Sequence, residues 1–147
     1  MALVEHKKAK FSYEILETIE TGIKLLGMEV KSLRRGMASL DGAHVLVRGG
    51  EAYLVGATIS PYQPSNTPKE YEQDRPRKLL LTRKEIDYLL GKENQKGLTI
   101  IPLSVYNKGR KLKVLIGIAK GKKRYDKRES TKKRETDRET RRTLKYE

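Results

Sequence analysis

Between Lys111 and Lys120 the chain alternates, with Leu112, Val114, Ile116 and Ile118 on one side and Lys111, Lys113, Leu115 and Gly117 on the other. A period of two predicts a strand with one strongly buried face and one mixed face. Its hairpin partner is predicted over Leu98–Tyr106, turning at Asn107-Lys108-Gly109-Arg110. Pro102 within that partner should lie at an edge or a bulge, where its missing N–H costs nothing. Ala43–Arg48 and Glu51–Thr58 predict a second hairpin about Gly49-Gly50. Tyr13–Glu20 reads as a strand that Gly22–Leu26 continues or pairs with, and Arg77–Leu81 reads as another. Val30, Leu33 and Met37 keep helical spacing, which predicts a short helix over Met28–Arg35 stopped by Gly36. Thr82 followed by Glu85 reads as a capping box, with Ile86, Leu89 and Leu90 as the buried face of its helix and Gly97 past the end. Pro61, Pro64, Pro68 and Pro76 mark residues 60–78 as a long exposed loop. Six or seven strands, two helices and no internal repeat predict a mainly β, antiparallel fold. A small closed barrel of the oligonucleotide-binding type fits best, with a sandwich as the alternative.

The pattern fades after Ile118. Residues 119–147 contain only Ala119, Tyr125, Leu144 and Tyr146 from the hydrophobic set, too little apolar surface to offset the entropy of ordering the backbone. Residues 1–118 are therefore expected to fold, and 119–147 to form a tail that is disordered when free. Charge sharpens this division. The 147-residue chain carries 33 Lys+Arg against 19 Asp+Glu, a formal net of +14. The first 118 residues hold 20 basic and 13 acidic side chains, and the last 29 hold 13 and 6, so each part has a net of +7. Glu135/Arg138, Asp137/Arg141 and Glu139/Arg142 are spaced to pair on a helix, each pair adding only about 0.2–0.5 kcal/mol. A phosphate-lined surface could tip that marginal balance, whereas a tail that merely raises solubility is the plainer reading.

Several chemistries have no support. With no Cys there is no disulfide framework, Cys-ligated zinc or thiol nucleophile, and His6 and His44 are too few for a multi-histidine metal site. No apolar run approaches the roughly 20 residues of a membrane span, and Met1–Lys10 lacks a secretory signal's apolar core. No Walker loop or G-x-G-x-x-G is present. Nearly every carboxylate has a basic neighbour, His6 is expected to be solvated in a charged N-terminal arm, and His44 reads as a surface or satisfied core residue. A soluble intracellular protein, no enzyme, without cofactor or small-molecule substrate, is expected to bind a polyanion.

Three clusters point to RNA. Glu29 stands among Lys31, Arg34 and Arg35. It could be only the acidic first turn of a helix, or it could accept from base edges while its neighbours hold phosphate. Arg75-Pro76-Arg77-Lys78 adds basic residues just before a strand. Gly121-Lys122-Lys123-Arg124-Tyr125-Asp126-Lys127-Arg128 sets a ring that can stack on a base inside a basic run.

Tyr13-Glu14-Ile15-Leu16-Glu17-Thr18, Gly27-x-Glu29-Val30-Lys31-Ser32-Leu33-Arg34, Ile59-x-Pro61-Tyr62 and Arg77-Lys78-Leu79-Leu80-Leu81 resemble the SmpB, or SsrA-binding protein, family. Lys96-Gly97-Leu98-Thr99-Ile100-Ile101-Pro102-Leu103, Lys113-Val114, Ala119-Lys120-Gly121-Lys122-Lys123 and Tyr125-Asp126-Lys127-Arg128 extend the resemblance over nearly the whole chain. It implies a six-stranded oligonucleotide-binding-type barrel with flanking helices that binds the tRNA-like domain of transfer-messenger RNA in ribosome rescue. Lys7, Lys8, Glu29, Lys31, Arg34, Lys122 and Lys123 become RNA-contact candidates, to which the basic cluster adds Arg77 and Lys78. The tail would enter the empty messenger channel of a stalled small subunit and become helical, with Tyr125 near the decoding site and Asp126, Lys127, Arg128, Lys132, Lys133 and Arg134 along it. A cytoplasmic monomer is expected. The chain departs from the family where His6 replaces the usual Asn, Glu70-Tyr71-Glu72-Gln73 replaces Asn-His-Asp-Pro, and Thr82 replaces His. A structural ribosomal protein would share the charge and the tail but would copurify stoichiometrically with all subunits. An RNA-modifying enzyme would need a cofactor loop or catalytic constellation that is not found.

Overall fold

The computed structural model describes residues 2–121. The alternation after Lys111 forms β9 (Lys111–Gly121), paired on one side with β8 (Leu98–Lys108) and on the other with β2 (Tyr13–Ile23). Leu112, Val114, Ile116 and Ile118 are all buried, as the period of two requires. Beyond β8 lies β1 (Ala2–Glu5). Beyond β2 lie β7 (Arg77–Leu80), β5 (Glu51–Val55) and β4 (His44–Arg48), giving the order β1-β8-β9-β2-β7-β5-β4 with every pairing antiparallel. β3 (Ala38–Ser39) and β6 (Thr58–Ile59) form a separate two-stranded ladder.

The main sheet thus has seven strands rather than six. Among the described residues no hydrogen-bonded ladder joins β4 to β1 or to β8. The sheet nevertheless curls strongly. In a flat sheet β4 and β8 would stand about 24 Å apart at ~4.8 Å per strand, yet Cα atoms of the two approach within 8 Å. The core lies inside that curl, where Leu79, Val114 and Ile116 from the sheet meet Leu89 of α3 (Arg83–Glu93) and Leu33 of α2 (Gly27–Arg34).

The local signals act as their chemistry demands. Gly49 and Gly50 have φ of 59° and 75°, the two positive values of a type I′ turn, and they join β4 to β5. At the end of α2, Gly36 takes φ 70° while its N–H donates to the Leu33 carbonyl and the Met37 N–H donates to that of Ser32. This pair of bonds is a Schellman cap. The Thr82 hydroxyl accepts the Glu85 N–H at 3.2 Å and the Glu85 carboxylate accepts the Thr82 N–H at 3.0 Å, completing the capping box of α3. Pro102 sits where the β8–β9 register slips, between Pro102 and Ser104, at a bulge that needs no N–H from it.

Three expectations change. The N-terminal arm is not a solvated run: β1 pairs with β8, Val4 is buried, and α1 (Ala9–Ser12) follows. His6 is fastened too, its backbone N–H donating to the Leu103 carbonyl and its Nδ1 to the Pro102 carbonyl, both at 2.9 Å. Ala119 is fully buried and pairs with Ile15, and Gly121 still pairs with Tyr13, so the boundary drawn at 118/119 falls inside a strand. Leu90, expected inside with Ile86 and Leu89, is 39 % exposed.

That last difference is measurable. Leu89→Ala should lower stability by about 2–5 kcal/mol through the cavity it leaves, whereas its exposed neighbour Leu90→Ala should fall within about 0.5 kcal/mol of the parent in urea denaturation. Equal losses would place Leu90 in the core after all.

Candidate nucleic-acid interface

Glu29 is the third residue of α2, and at that position a carboxylate reaches back to the start of its helix, here accepting the Leu26 N–H on Oε1 at 2.8 Å. It also turns inward. Glu29 is 1 % exposed and Arg77, at the start of β7, is 0 % exposed. Arg77 donates to Glu29 Oε2 from Nε at 3.0 Å and from a terminal nitrogen at 2.6 Å, and to the carbonyls of Ala57 and Gln73, both at 2.8 Å. Arg75 reaches both carboxylate oxygens, Nε donating to Oε2 at 3.2 Å and a terminal nitrogen to Oε1. The Tyr71 hydroxyl lies 3.0 Å from Glu29 Oε2 and 2.9 Å from the Ile59 carbonyl, its single proton shared between the two acceptors.

The buried carboxylate is thereby surrounded by donors. Burial pushes the Glu29 pKa up, but the bonds from Arg75, the Leu26 N–H and Arg77 outweigh it, and the group sits below the usual carboxylate range. Burial, and then the bond to Glu29, push the Tyr71 hydroxyl the other way, so it keeps its proton. Glu29 and Arg77 are consequently removed from the contact surface: neither reaches solvent, and the donors and acceptors assigned to RNA are spent inside the fold. Tyr71, in the segment that departs from the family pattern, is a member of this network rather than a loop residue without a task.

The other candidates stay outside. Lys7 and Lys8 are exposed ahead of α1, and Lys31 and Arg34 are exposed on α2. Lys78, half-buried on β7, pairs with Glu51 at 3.4 Å. Arg34 donates to the Arg110 carbonyl at 3.1 Å, tying α2 to the β8–β9 turn. A cleft of about 340 Å³ opens there, with Arg34, Arg110, Lys111 and Lys113 around an apolar floor that includes Val30 and the exposed Leu80. Lys7 lines a second cleft, of about 450 Å³, with His6, Lys10 and Leu115. Sequence reasoning read residues 107–110 only as a turn. That Arg110 and Lys113 join Arg34 depends on strand register, though the basic turn itself was visible. Lys122, Lys123, Tyr125, Asp126, Lys127, Arg128, Lys132, Lys133 and Arg134 lie outside the described residues.

Some surface cations are already neutralised: Lys108 pairs with Glu20 at 2.9 Å and Arg48 with Glu93 at 2.6 Å. Lys7, Lys8, Lys31, Arg34, Arg35 and Arg110 have no carboxylate within 4.0 Å among the described residues. Among those same residues no group of three or more His, Asp or Glu could hold a metal ion, and no helix is long and apolar enough to cross a membrane.

A curled antiparallel sheet that buries the Glu29 ion-pair network and leaves unpaired cations outside has the make-up of a polyanion-binding β protein. Comparison makes the class specific. The family model described as "SmpB protein" matches residues 3–146, and the chain belongs to that family. The "SsrA-binding protein" of Gloeothece citriformis is 48 % identical over 143 residues, covering 97 % of this chain and 92 % of the relative. That of Thermosynechococcus vestitus is 47 % identical over the same length, covering 97 % and 94 %. A solved chain described as "tmRNA-SmpB: a journey to the center of the bacterial ribosome" matches with a TM-score of 0.69 and 44 % identity, over 87 % of this chain and 93 % of that one.

Because the folded pKa of Glu29 is depressed, the stability it contributes is fully present above the ordinary glutamate value, near 4.3, and is lost as pH falls through the lower folded value. The parent should therefore lose stability steeply below about pH 4, and Glu29→Gln should flatten that limb. At neutral pH Glu29→Ala leaves Arg77 buried without its counter-charge and should cost about 3–5 kcal/mol. Urea denaturation from pH 3 to 7 checks both. An unchanged acid limb in Glu29→Gln would remove the carboxylate from the account.

Proposed function

We propose that this protein is an RNA-binding adaptor that holds the tRNA-like domain of transfer-messenger RNA and delivers it to stalled ribosomes for trans-translation in the cytoplasm. The observation that carries the reading is the family match from residue 3 to residue 146, with relatives named for binding SsrA. The unpaired cations Lys7, Lys8, Lys31 and Arg34 supply the physical means, since each phosphate they neutralise releases counterions. The Lys122-Lys123 pair extends that surface, Lys78 is a further contact although it is paired with Glu51, and the protein acts as a monomer. It makes and breaks no covalent bond; its work is to position RNA.

The tail has the complementary part. Composition leaves it with too few apolar groups to fold alone, and its opposite charges three and four residues apart favour a helix where phosphate surrounds it. It enters the vacant messenger channel, with Tyr125 near the decoding site and Asp126, Lys127, Arg128, Lys132, Lys133 and Arg134 along the channel wall. The reading of a structural ribosomal protein gains nothing from the fold.

Two assays run side by side test this. Filter binding to the tRNA-like domain should show log affinity falling with log salt by about 0.7–0.9 per phosphate contact. The chain ending at Lys123 should keep the parent's melting temperature and most of its RNA affinity, yet fail in a reconstituted rescue of a ribosome stalled on a truncated message. Normal rescue by the shortened chain would reduce the tail to a solubility device. A flat salt response would contradict the basic surface.

A further inference from the structure

Lys31 and Arg35 stand four residues apart, on one side of α2 and its cap, and both lie against the ring of Tyr62. The Lys31 Nζ is 5.7 Å and the Arg35 Cζ 5.1 Å from the ring centroid. The ring is held there by the helix itself. Ser32, fully buried, donates from its hydroxyl to the Ser60 carbonyl at 2.7 Å, and the Ser60 N–H donates to the Met37 carbonyl at 3.0 Å. A step earlier, the Ile59 N–H donates to the Gln73 carbonyl, which the buried Arg77 also holds. The segment carrying Tyr62 is thus fixed to α2 through buried polar bonds rather than laid loosely over it.

The electrostatics of this cluster are incomplete. Like charges at i,i+4 repel, and neither cation has a carboxylate within 4.0 Å among the described residues. The ring's quadrupole attracts both and confines them, which lowers the entropy lost when they grip a ligand. A guanidinium lying on a ring still has its edge N–H groups free, and these fit a phosphate in a bidentate way that an ammonium alone cannot. We infer that Lys31, Arg35 and Tyr62 form a preorganised seat for an RNA phosphodiester. Arg34, on the same exposed stripe, is not part of the seat, because its guanidinium turns to the β8–β9 turn. This rests on the adaptor reading and adds to it a contact in which Arg35 and Tyr62 have a role.

The test uses the full chain with two RNAs, the tRNA-like domain of transfer-messenger RNA and small-subunit ribosomal RNA. The double variant Lys31→Gln/Arg35→Gln should keep the parent's melting temperature, since both side chains are exposed. It should lower the salt slope by about 0.7–0.9 on whichever RNA uses the seat, with at least about tenfold weaker binding at 0.1 M salt. Tyr62→Leu should weaken binding by roughly 2–5-fold with the slope unchanged, and Tyr62→Phe should match the parent, because only the ring is used. Loss on one RNA and not the other sustains the inference and says which RNA is held. If the parent binds with a steep slope and the double variant has that same slope on both RNAs, the seat is refuted while the adaptor reading stands; such a patch would serve some other anionic partner. If the parent binds neither RNA, the adaptor reading and the seat fall together.

Discussion

Glu29 brings a negative charge into a place from which water is excluded, and much of the molecule's irregular half is arranged to answer it. A buried carboxylate is tolerated only when charge and hydrogen bonds replace the lost hydration. Arg75, Arg77, Tyr71 and the Leu26 N–H do so together. These partners come from the end of a long loop, the first residue of β7, the middle of that loop and the start of α2. Satisfying one side chain therefore fixes four backbone segments. Arg77 spreads the constraint further by holding the carbonyls of Ala57 and Gln73, so the proline-rich stretch is strapped to β6 rather than left to wander. Ion pairs of this kind are weak evidence for net stability. Their effect here is to narrow the conformations open to the loop, because both guanidinium groups must reach one carboxylate.

The regular elements were legible where periodicity and turn chemistry agreed. The β8–β9 hairpin, the Gly49-Gly50 turn, the box at Thr82 and the stop at Gly36 each rest on local rules that tertiary context did not override. β1 was not legible because Glu5, Lys7, Lys8 and Lys10 surround Ala2–Val4 and make the stretch look like an arm. What makes it a strand is an open edge of β8 formed about a hundred residues later. Glu29 and Arg77 were misread for a related reason. In sequence they stand among Lys31, Arg34, Arg75 and Lys78, and a charge among charges looks like surface. No local pattern says that two of these residues, forty-eight positions apart, will neutralise one another in the interior. The basic cluster before β7 therefore divides, with Arg77 inside and Lys78 outside, as the alternation of a strand requires, and Arg75, just ahead of the strand, at the border.

That division decides how the net charge is used. Cations with a carboxylate partner contribute little field beyond their own neighbourhood, because a dipole's field falls off faster than a lone charge's and salt screens what is left over about 8–10 Å. The cations without one act at longer range and set the attraction for a polyanion. On the described surface such groups include Lys31, Arg34 and Arg35 of α2 and its cap, Lys7, Lys8 and Lys10 of the N-terminal segment, and Arg110, Lys111 and Lys113 around the β8–β9 turn, while Lys108 and Arg48 are answered by Glu20 and Glu93. A net charge per residue would not have revealed this, since paired and unpaired cations count alike in it.

Helix α2 shows how the two uses of charge are kept apart in eight residues. At 100° per residue, Glu29, Ser32 and Leu33 fall on one stripe and are buried, while Lys31 and Arg34 fall on the other and are exposed, followed by Arg35 at the cap. The inner stripe is unusual in that two of its three members are polar, and both are hooks: Glu29 catches β7 and the end of the loop, and Ser32 catches Ser60. The outer stripe is then aimed by whatever the inner stripe holds. A side chain with four rotatable bonds gains a defined position only if something rigid lies beneath it, and for Lys31 and Arg35 that support is a ring delivered by the strapped loop. The buried carboxylate and the exposed cations are for this reason one mechanical unit, in which the interior charge supplies the geometry and the exterior charge the attraction.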